Sequence, residues 1–413
     1  MTVPATTQRL DYLDAVRAFA LLLGIVFHAS LSFFPVFIGW AVMDISTSPV
    51  ITSFVLVSHS FRMELFFLMA GFFSHMTFHR KGAGSFLQSR FMRILIPFVV
   101  GWFILRPLIV SAWIMGGESM RGEANVINGL LGGLQSMGSF PKEILVGTHL
   151  WFLYYLLMIT AIALALRALL SASPVIKAKV TGWTDLTVAW IAQSRFSWLA
   201  LSVPTAACLW FMSTWGMDTP DKSLFPHVPV TIVYGGFFGL GWLLHRQEGL
   251  IEQFARLSAS RIAICIISIV VTIALSAYQT DMGHPRIASI KAAFVISYAL
   301  MMWSLVSVVI GLFKHFFDKP GKTVRYIADA SYWLYLIHLP VVIWLQIAFA
   351  ELPWHWSLKL ISVSVLTVGI SLVIYDLLVR STVIGKILNG RKKERVLFRL
   401  ESMPVPGILK SRS

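Results

Sequence analysis

The sequence predicts an all-α polytopic membrane protein with about ten transmembrane helices and both termini in the cytoplasm. The chain of 413 residues is 57% hydrophobic and only 13% charged, with a mean hydropathy of +0.76, whereas a soluble domain is about 25% charged. Runs of about 20 mainly apolar residues recur, each long enough to cross a bilayer. Most of the 34 Lys and Arg residues fall in alternate loops, as expected for cytoplasmic loops. The net charge of +15 therefore indicates membrane orientation rather than a nucleic-acid-binding face.

The predicted spans define one transmembrane domain, residues 1–385, followed by a basic cytoplasmic tail, residues 386–413. The tail is typical of an electrostatic anchor to anionic lipid. Two connections are long: the outer one, about 116–148, has the glycines and length to cover an outward-facing site, and the inner one, about 170–196, reads as a linker with one surface helix. In chain order, the spans cover about 15–36, 57–78, 94–115, 149–169, 197–215, 228–245, 261–279, 288–313, 329–350 and 357–379.

The first span carries ionisable residues on one helical face. Asp14 and Arg17 lie at its start and His28 lies deep inside it. Eleven helical steps bring His28 back to nearly the face of Arg17, roughly 16 Å further along the axis. Ionisable side chains at such a depth are costly, and they are functional candidates by default.

The second and third spans add further cations. His59 and Arg62 are three residues apart at the predicted outer start of the second span, where Arg62 could also snorkel to headgroups. Arg90 and Arg93 lie at the cytoplasmic start of the third span, where they are either ordinary positive-inside anchors or a forked phosphate-binding site. Arg17 would add a third guanidinium group to such a site.

The remaining spans extend this pattern. His149 and Trp151 open the fourth span, Arg106 lies within the third, His338 lies at mid-depth in the ninth, and Asp376 lies near the inner end of the tenth. A histidine bonded to a backbone carbonyl is the simpler interpretation of His338. Together these residues predict a polar path across the protein, which either a transporter or an enzyme with one substrate on each side would use. The histidines lack the spacing of metal ligands, so no metal is expected.

Five stretches, in order, resemble the membrane acyltransferase-3 family. They are RLDYLDAVRAFALLLGIVFH, FFLMAGFF, RFMRILIP, HLWFLYYL and SYWLYLIHLPV. Within the family, FHASLSFF, HSFRMELFFLMAGFFS and IYDLLVRSTVIGKIL look most like the glucans biosynthesis protein C branch, which attaches succinyl groups to osmoregulated periplasmic glucans of Gram-negative bacteria. The resemblance covers about residues 9–385. Asp376 stands where the family usually has Glu, so it is included only as a possible site residue.

The resemblance implies an O-acyltransferase of the bacterial inner membrane that moves succinyl from cytoplasmic succinyl-CoA to hydroxyl groups of periplasmic glucans. Acyl-CoA would be a co-substrate, with no permanently bound cofactor. Arg17, Arg90 and Arg93, with Asp14 beside them, are expected to bind the CoA phosphates. His28 is the expected general base for the sugar hydroxyl.

The other candidates have supporting roles. His338 or Arg62 would stabilise the oxyanion, and Arg62 or Arg106 would pair with the free carboxylate of a succinyl donor. The residues expected to contact the acceptor lie at the outer side of the path: His59, His149 and Trp151.

Several alternatives remain open at this point. Transfer could be direct or pass through an acyl-His28 intermediate. The protein could instead be an O-acetyltransferase of lipopolysaccharide or another surface polysaccharide, a non-catalytic transporter of sugar or lipid, or an assembly subunit of a glucan-export machine. The sequence does not distinguish succinyl from acetyl donors or linear from cyclic glucans, and it leaves the oligomeric state undefined.

Overall fold

The computed structural model describes residues 11–120, 122, 124–139, 148–194, 196–247, 249–281, 283–319 and 321–397. All regular secondary structure in these ranges is helical. The α-helices are α1 Asp11–Ser30, α2 Pro49–His59, α3 Arg62–Arg90, α4 Ile96–Ser119, α5 Val126–Gln135, α6 Trp151–Ser171, α7 Pro174–Gln193, α8 Ser197–Trp210, α9 Val228–Arg246, α10 Leu250–Phe254, α11 Ala259–Ser276, α12 Ile287–Phe316, α13 Lys322–Ala350, α14 Trp356–Ile374 and α15 Val383–Asn389.

The predicted fold class is confirmed. Within the described residues, eight helical segments are long and apolar enough to cross a membrane. One of them, Pro49–Ser119, contains the second and third predicted spans. The shorter apolar helix α8 begins with the fifth predicted span but ends at Trp210, before the predicted end at about residue 215. The number of crossings and the side on which each terminus lies remain predictions.

Both long connections contain helices. In the outer connection, α5 packs so closely on α4 that a Cβ atom at Gly133 would overlap the carbonyl oxygen of Pro107. Residues 121, 123 and 140–147 of this connection lie outside the described residues. The inner connection contains α7, as expected, and the side chain of Ser173 caps it by accepting the Ile176 N–H.

Helices α1 and α3 run antiparallel to each other. A Cβ atom at Gly24 of α1 would lie 3.7 Å from Cδ of Arg62 in α3, while the guanidinium of Arg17 lies 5.8 Å from the ring centroid of Phe73. Residues late in α1 therefore lie beside residues early in α3, and residues early in α1 lie further along α3. The polar face predicted for α1 is thereby placed against about the first three turns of α3, from Arg62 to Phe73.

Helix α9 supports α3 from the opposite side, with their backbones in direct contact. A Cβ atom at Gly71 would overlap the carbonyl oxygen of Phe238, and one at Gly241 would overlap the carbonyl oxygen of Leu68. Such reciprocal contacts need small residues, which let two membrane helices approach closely. Glycine at 71 and 241 therefore sets the separation of α3 and α9.

Two turns of π-helix interrupt the long helices. Phe91–Leu95 joins α3 to α4 and contains Arg93, and Tyr375–Val379 follows α14 and contains Asp376. Single π-helical turns often occur at functional sites. Each turn here carries a residue that the sequence had already singled out.

A buried ion pair fixes the segment between α1 and α2. Nζ of Lys359 lies 2.6 Å from Oδ1 of Asp44, and both side chains are at most 2% exposed. Burial raises the pKa of Asp44, while the hydrogen bond from Lys359 opposes that rise. The pair fastens this segment, which carries Trp40, to the start of α14.

Candidate active site

A cavity of about 1130 Å³ lies among α1, α3, α4, α6 and α13. Most of the site residues predicted from the sequence line it: Arg17, His28, His59, Arg62, Arg90, Arg93, Arg106, His149, Trp151 and His338. Asp14 and Asp376 are not part of this lining. Asp14 instead accepts a hydrogen bond of 3.3 Å from Nη1 of Arg17 and so orients that guanidinium group.

One end of the cavity is formed by guanidinium groups. Nη2 of Arg90 donates to Oγ of Ser74 at 3.1 Å, and Ser74 lies twelve residues, or roughly 18 Å, along α3 from Arg62. Arg93 follows in the π-helical turn, where its carbonyl accepts a hydrogen bond from the Tyr332 hydroxyl. Arg17 completes the group from the start of α1. This is the arrangement that a multiply charged phosphate ligand requires.

The other end contains a row of three imidazole rings. The ring centroid of His338 lies 5.2 Å from that of His28 and 5.7 Å from that of His149. Nδ1 of His28 is buried and has no hydrogen-bond partner among the described residues. Nδ1–H of His338 donates to the carbonyl of Tyr335 at 2.8 Å, so Nε2 of the neutral ring is an acceptor.

Pro340 explains the position of His149. A proline within a helix has no N–H for the carbonyl four residues earlier, and here that carbonyl belongs to Leu336. Nε2–H of His149 donates to this same carbonyl at 2.9 Å. His149 therefore satisfies the acceptor that Pro340 leaves open, and it links α13 to the residues that precede α6.

Two residues that sequence reasoning missed hold His28 in place. The indole of Trp40 stacks on the His28 ring with centroids 5.7 Å apart, and its Nε1–H donates to Gln346 at 2.9 Å. The Gln346 amide donates to the carbonyls of His28 and Ala29, each at 3.0 Å. These carbonyls lie in the last turn of α1, where the helix itself offers no further N–H groups to bond them. The signal that could have identified Gln346 from the sequence is its polar amide within the apolar ninth predicted span.

Arg62 lies beside the imidazole row. It is 5% exposed, its guanidinium lies 4.1 Å from the centroid of the Phe27 ring, and its Nη1 has no hydrogen-bond partner among the described residues. His59 donates through Nε2 to the carbonyl of Met217 at 2.9 Å. Glu64 is fully buried but does not line the cavity.

Aromatic and cationic side chains continue the walls. The Trp151 indole stacks on Tyr234 with centroids 5.7 Å apart and is only 7% exposed. One of its faces is therefore already covered by protein. Arg106 is buried, with its guanidinium 5.0 Å from the centroid of Trp102. Trp113 also lines the cavity and is more exposed.

A polar loop between α8 and α9 contributes residues that hydropathy alone did not identify. Asp221 and Lys222 line the cavity, and burial raises the pKa of Asp221. The loop is held by Asp218, whose carboxylate accepts hydrogen bonds from the backbone and hydroxyl groups of Ser213 and Thr214. Burial opposes ionisation of Asp218, but these hydrogen bonds prevail and hold its pKa below the usual range.

The arrangement combines an anion-binding end, an unpartnered imidazole nitrogen and a buried guanidinium donor in one cavity. Such a set can bind a phosphate-bearing molecule, accept a proton and stabilise a developing negative charge. Among the residues that the structure describes, no three His, Cys, Asp or Glu side chains are grouped to hold a metal ion. The expectation that no metal is needed stays a prediction.

Comparison with known proteins places these features in a family. The acyltransferase-3 family profile, described as an acyltransferase domain, matches residues 10–376. Glucans biosynthesis protein C of Escherichia coli strain K12 is 24% identical over 402 residues, and that of Salmonella typhimurium strain LT2 is 24% identical over 394 residues. Each alignment covers 94% of this chain and 96% of the relative. No solved structure matches the chain significantly.

Proposed function

Because the chain belongs to the acyltransferase-3 family and is a multi-pass membrane O-acyltransferase, we propose that it transfers succinyl from cytoplasmic succinyl-CoA to hydroxyl groups of a periplasmic glucan. The name of the similar proteins supports glucan as the acceptor. The proposal includes the inner membrane as location and acyl-CoA as the donor.

The observation that supports this proposal is the single cavity with two chemically different ends. Guanidinium groups form one end and imidazole groups the other, roughly 16 Å apart along α1. Arginine binds phosphate through paired, charge-assisted hydrogen bonds. The CoA phosphates would bind Arg17, Arg90 and Arg93, and the flexible arm would extend towards His28 with the thioester at its tip.

His28 then acts as the general base. It removes the proton of the sugar hydroxyl while the hydroxyl oxygen attacks the thioester carbonyl carbon. The carbon–sulfur bond breaks, the proton passes from His28 to the departing thiolate, and the products are an ester and free CoA thiol. His28 returns to its starting state, so the reaction needs no other reactant.

Arg62 is a better oxyanion donor than His338. The ring N–H of neutral His338 is already engaged by the Tyr335 carbonyl, whereas Nη1 of Arg62 has no partner among the described residues. His338 would instead accept a hydrogen bond from the attacking hydroxyl. Arg106, in the same cavity wall, is then the cation for the free succinyl carboxylate.

Mass spectrometry of periplasmic glucans tests the proposal. A strain lacking the gene should lose an increment of ~100 Da per succinylated site, and the wild-type gene should restore it. His28→Gln should fail to restore it, whereas His315→Gln, at the exposed end of α12, should succeed. Loss of ~42 Da instead would identify an acetyltransferase, and full activity of His28→Gln would refute the catalytic role of His28.

Reconstituted protein separates an enzyme from a transporter. With labelled succinyl-CoA and glucan supplied on opposite sides of liposomes, an enzyme forms labelled glucan and free CoA. Unmodified glucan or intact donor crossing the membrane would contradict the proposal. Incubation with labelled donor alone, followed by rapid denaturation at neutral pH, distinguishes direct transfer, which leaves the protein unlabelled, from an acyl-His28 intermediate.

A further inference from the structure

The segment that follows α15 packs against the guanidinium end of the cavity. Leu388 at the end of α15 is part of the cavity lining. Gly390, the first residue after α15, has a φ of +79°, and a Cβ atom there would overlap the guanidinium of Arg93. Only glycine combines this backbone conformation with so close a contact. The chain therefore leaves α15 in direct contact with Arg93.

Asp376 and Arg380 hold this segment in a defined position. The Asp376 carboxylate accepts the backbone N–H groups of Val396 and Leu397, each at 3.0 Å. Nε of Arg380 donates to the carbonyl of Glu394 at 2.6 Å. The segment is thus fixed at its far end by the second π-helical turn, and Asp376 gains a structural role outside the cavity.

Between these anchors the chain forms a shallow, open pocket of about 440 Å³ with a mainly basic lining. Lys393 pairs with Asp329, and Arg395 donates to the carbonyl of Leu377 at 2.9 Å. Arg391 and Lys392 are exposed and are paired with no carboxylate among the residues that the structure describes. The pocket is lined by five basic side chains together with Glu394 and Val396; the basic ones are Arg380, Arg391, Lys392, Lys393 and Arg395.

We propose that this pocket is a second phosphate-binding site, in which Arg391 and Lys392 bind the nucleotide end of the acyl-CoA donor. The inference rests on the proposed function for the identity of the donor. A phosphomonoester carries about −1.5 to −2 charges at neutral pH, and CoA has a diphosphate as well. Gly390 contacts Arg93 and directly precedes Arg391, so the pocket lies beside the guanidinium end, within reach of one elongated anion.

Anionic lipid headgroups also carry phosphate, so the experiment compares two acyl donors to distinguish binding of acyl-CoA from binding of lipid. Full-length protein is assayed in neutral-lipid liposomes with succinyl-CoA and with succinyl-pantetheine, which lacks the nucleotide. The double variant Arg391→Ala/Lys392→Ala should raise KM for succinyl-CoA about tenfold, as expected for the loss of charge-assisted contacts, at unchanged kcat. Its KM for succinyl-pantetheine should not change. Lys177→Ala/Lys179→Ala, which removes two exposed lysines of α7, is the matched control.

Each outcome decides the question. Equal KM values for wild type and the double variant would overturn the inference, as would an effect that appears only with anionic lipid and is the same for both donors. If wild-type protein transfers from neither donor, the proposed function fails. Equilibrium binding of labelled CoA then tests the pocket alone: weaker binding by the double variant supports it, and equal binding overturns it.

Discussion

Replacing His149 with phenylalanine should destabilise the protein through a single carbonyl group. Phenylalanine keeps most of the ring volume but cannot donate to the Leu336 carbonyl, which His149 reaches at 2.9 Å. A buried acceptor left without a donor costs about 1–3 kcal/mol. In the background Pro340→Ala, residue 340 gains an N–H that reaches this carbonyl within the helix, so the same replacement should cost much less.

A double-mutant cycle measures this effect. The free energy of unfolding in mixed micelles is compared for wild type, the two single variants and the double variant. We expect a coupling energy of about 1–2 kcal/mol between His149 and Pro340, within the range of residues that share a partner. His315→Phe, at an exposed position, should change stability by less than about 0.5 kcal/mol. Equal costs of His149→Phe in both backgrounds would refute the reasoning.

Three further predictions follow from the described contacts. Gly71→Ala should lower the yield of folded protein because the added methyl group forces α3 away from α9, at a cost of about 1–3 kcal/mol. Gly239→Ala should not lower the yield, since there is open space around Gly239. Equal yields of the two variants on size-exclusion chromatography would contradict this. Gln346→Leu should reduce kcat about tenfold with little change in KM, because His28 loses its support, and an unchanged kcat would remove that role. The pKa of Asp218 is lowered in the folded protein, so its hydrogen bonds stabilise the loop fully at pH values above the usual aspartate pKa of about 4. This stabilisation is lost as the pH falls through the lower pKa of the folded state. Cleavage of the loop by an acid-active protease should therefore increase at low pH, and Asp218→Asn should abolish this dependence.

Periodicity along one helix was enough to predict the local part of the site. Arg17 and His28 share a face because eleven residues complete about three turns, and both line the cavity. The break between α2 and α3 was not predicted: the second span was expected to begin at about residue 57, whereas α2 continues to His59 and α3 begins at Arg62.

Contacts between distant segments could not be predicted from spacing. The partner of His149 lies 187 residues away. Pro340 marks the Leu336 carbonyl as an acceptor without a helical donor, but the sequence does not say which distant donor reaches it. Gln346 meets His28 across 318 residues. The tail was interpreted only as a lipid anchor because composition reports its charge and not its return to Asp376. Residues 398–413 of the tail lie outside the described residues.

The backbone contact between α3 and α9 has a consequence for substrate range. With main-chain atoms already touching at Gly71 and Gly241, the distance between α3 and α9 leaves no room for larger side chains at these two positions. Adaptation to longer or shorter acyl chains must instead come from side chains that border the cavity, such as Ala70 of α3 and Ile109 and Val110 of α4. Diversification of donor preference among related enzymes should therefore be concentrated at these lining positions, while the glycines between α3 and α9 stay small.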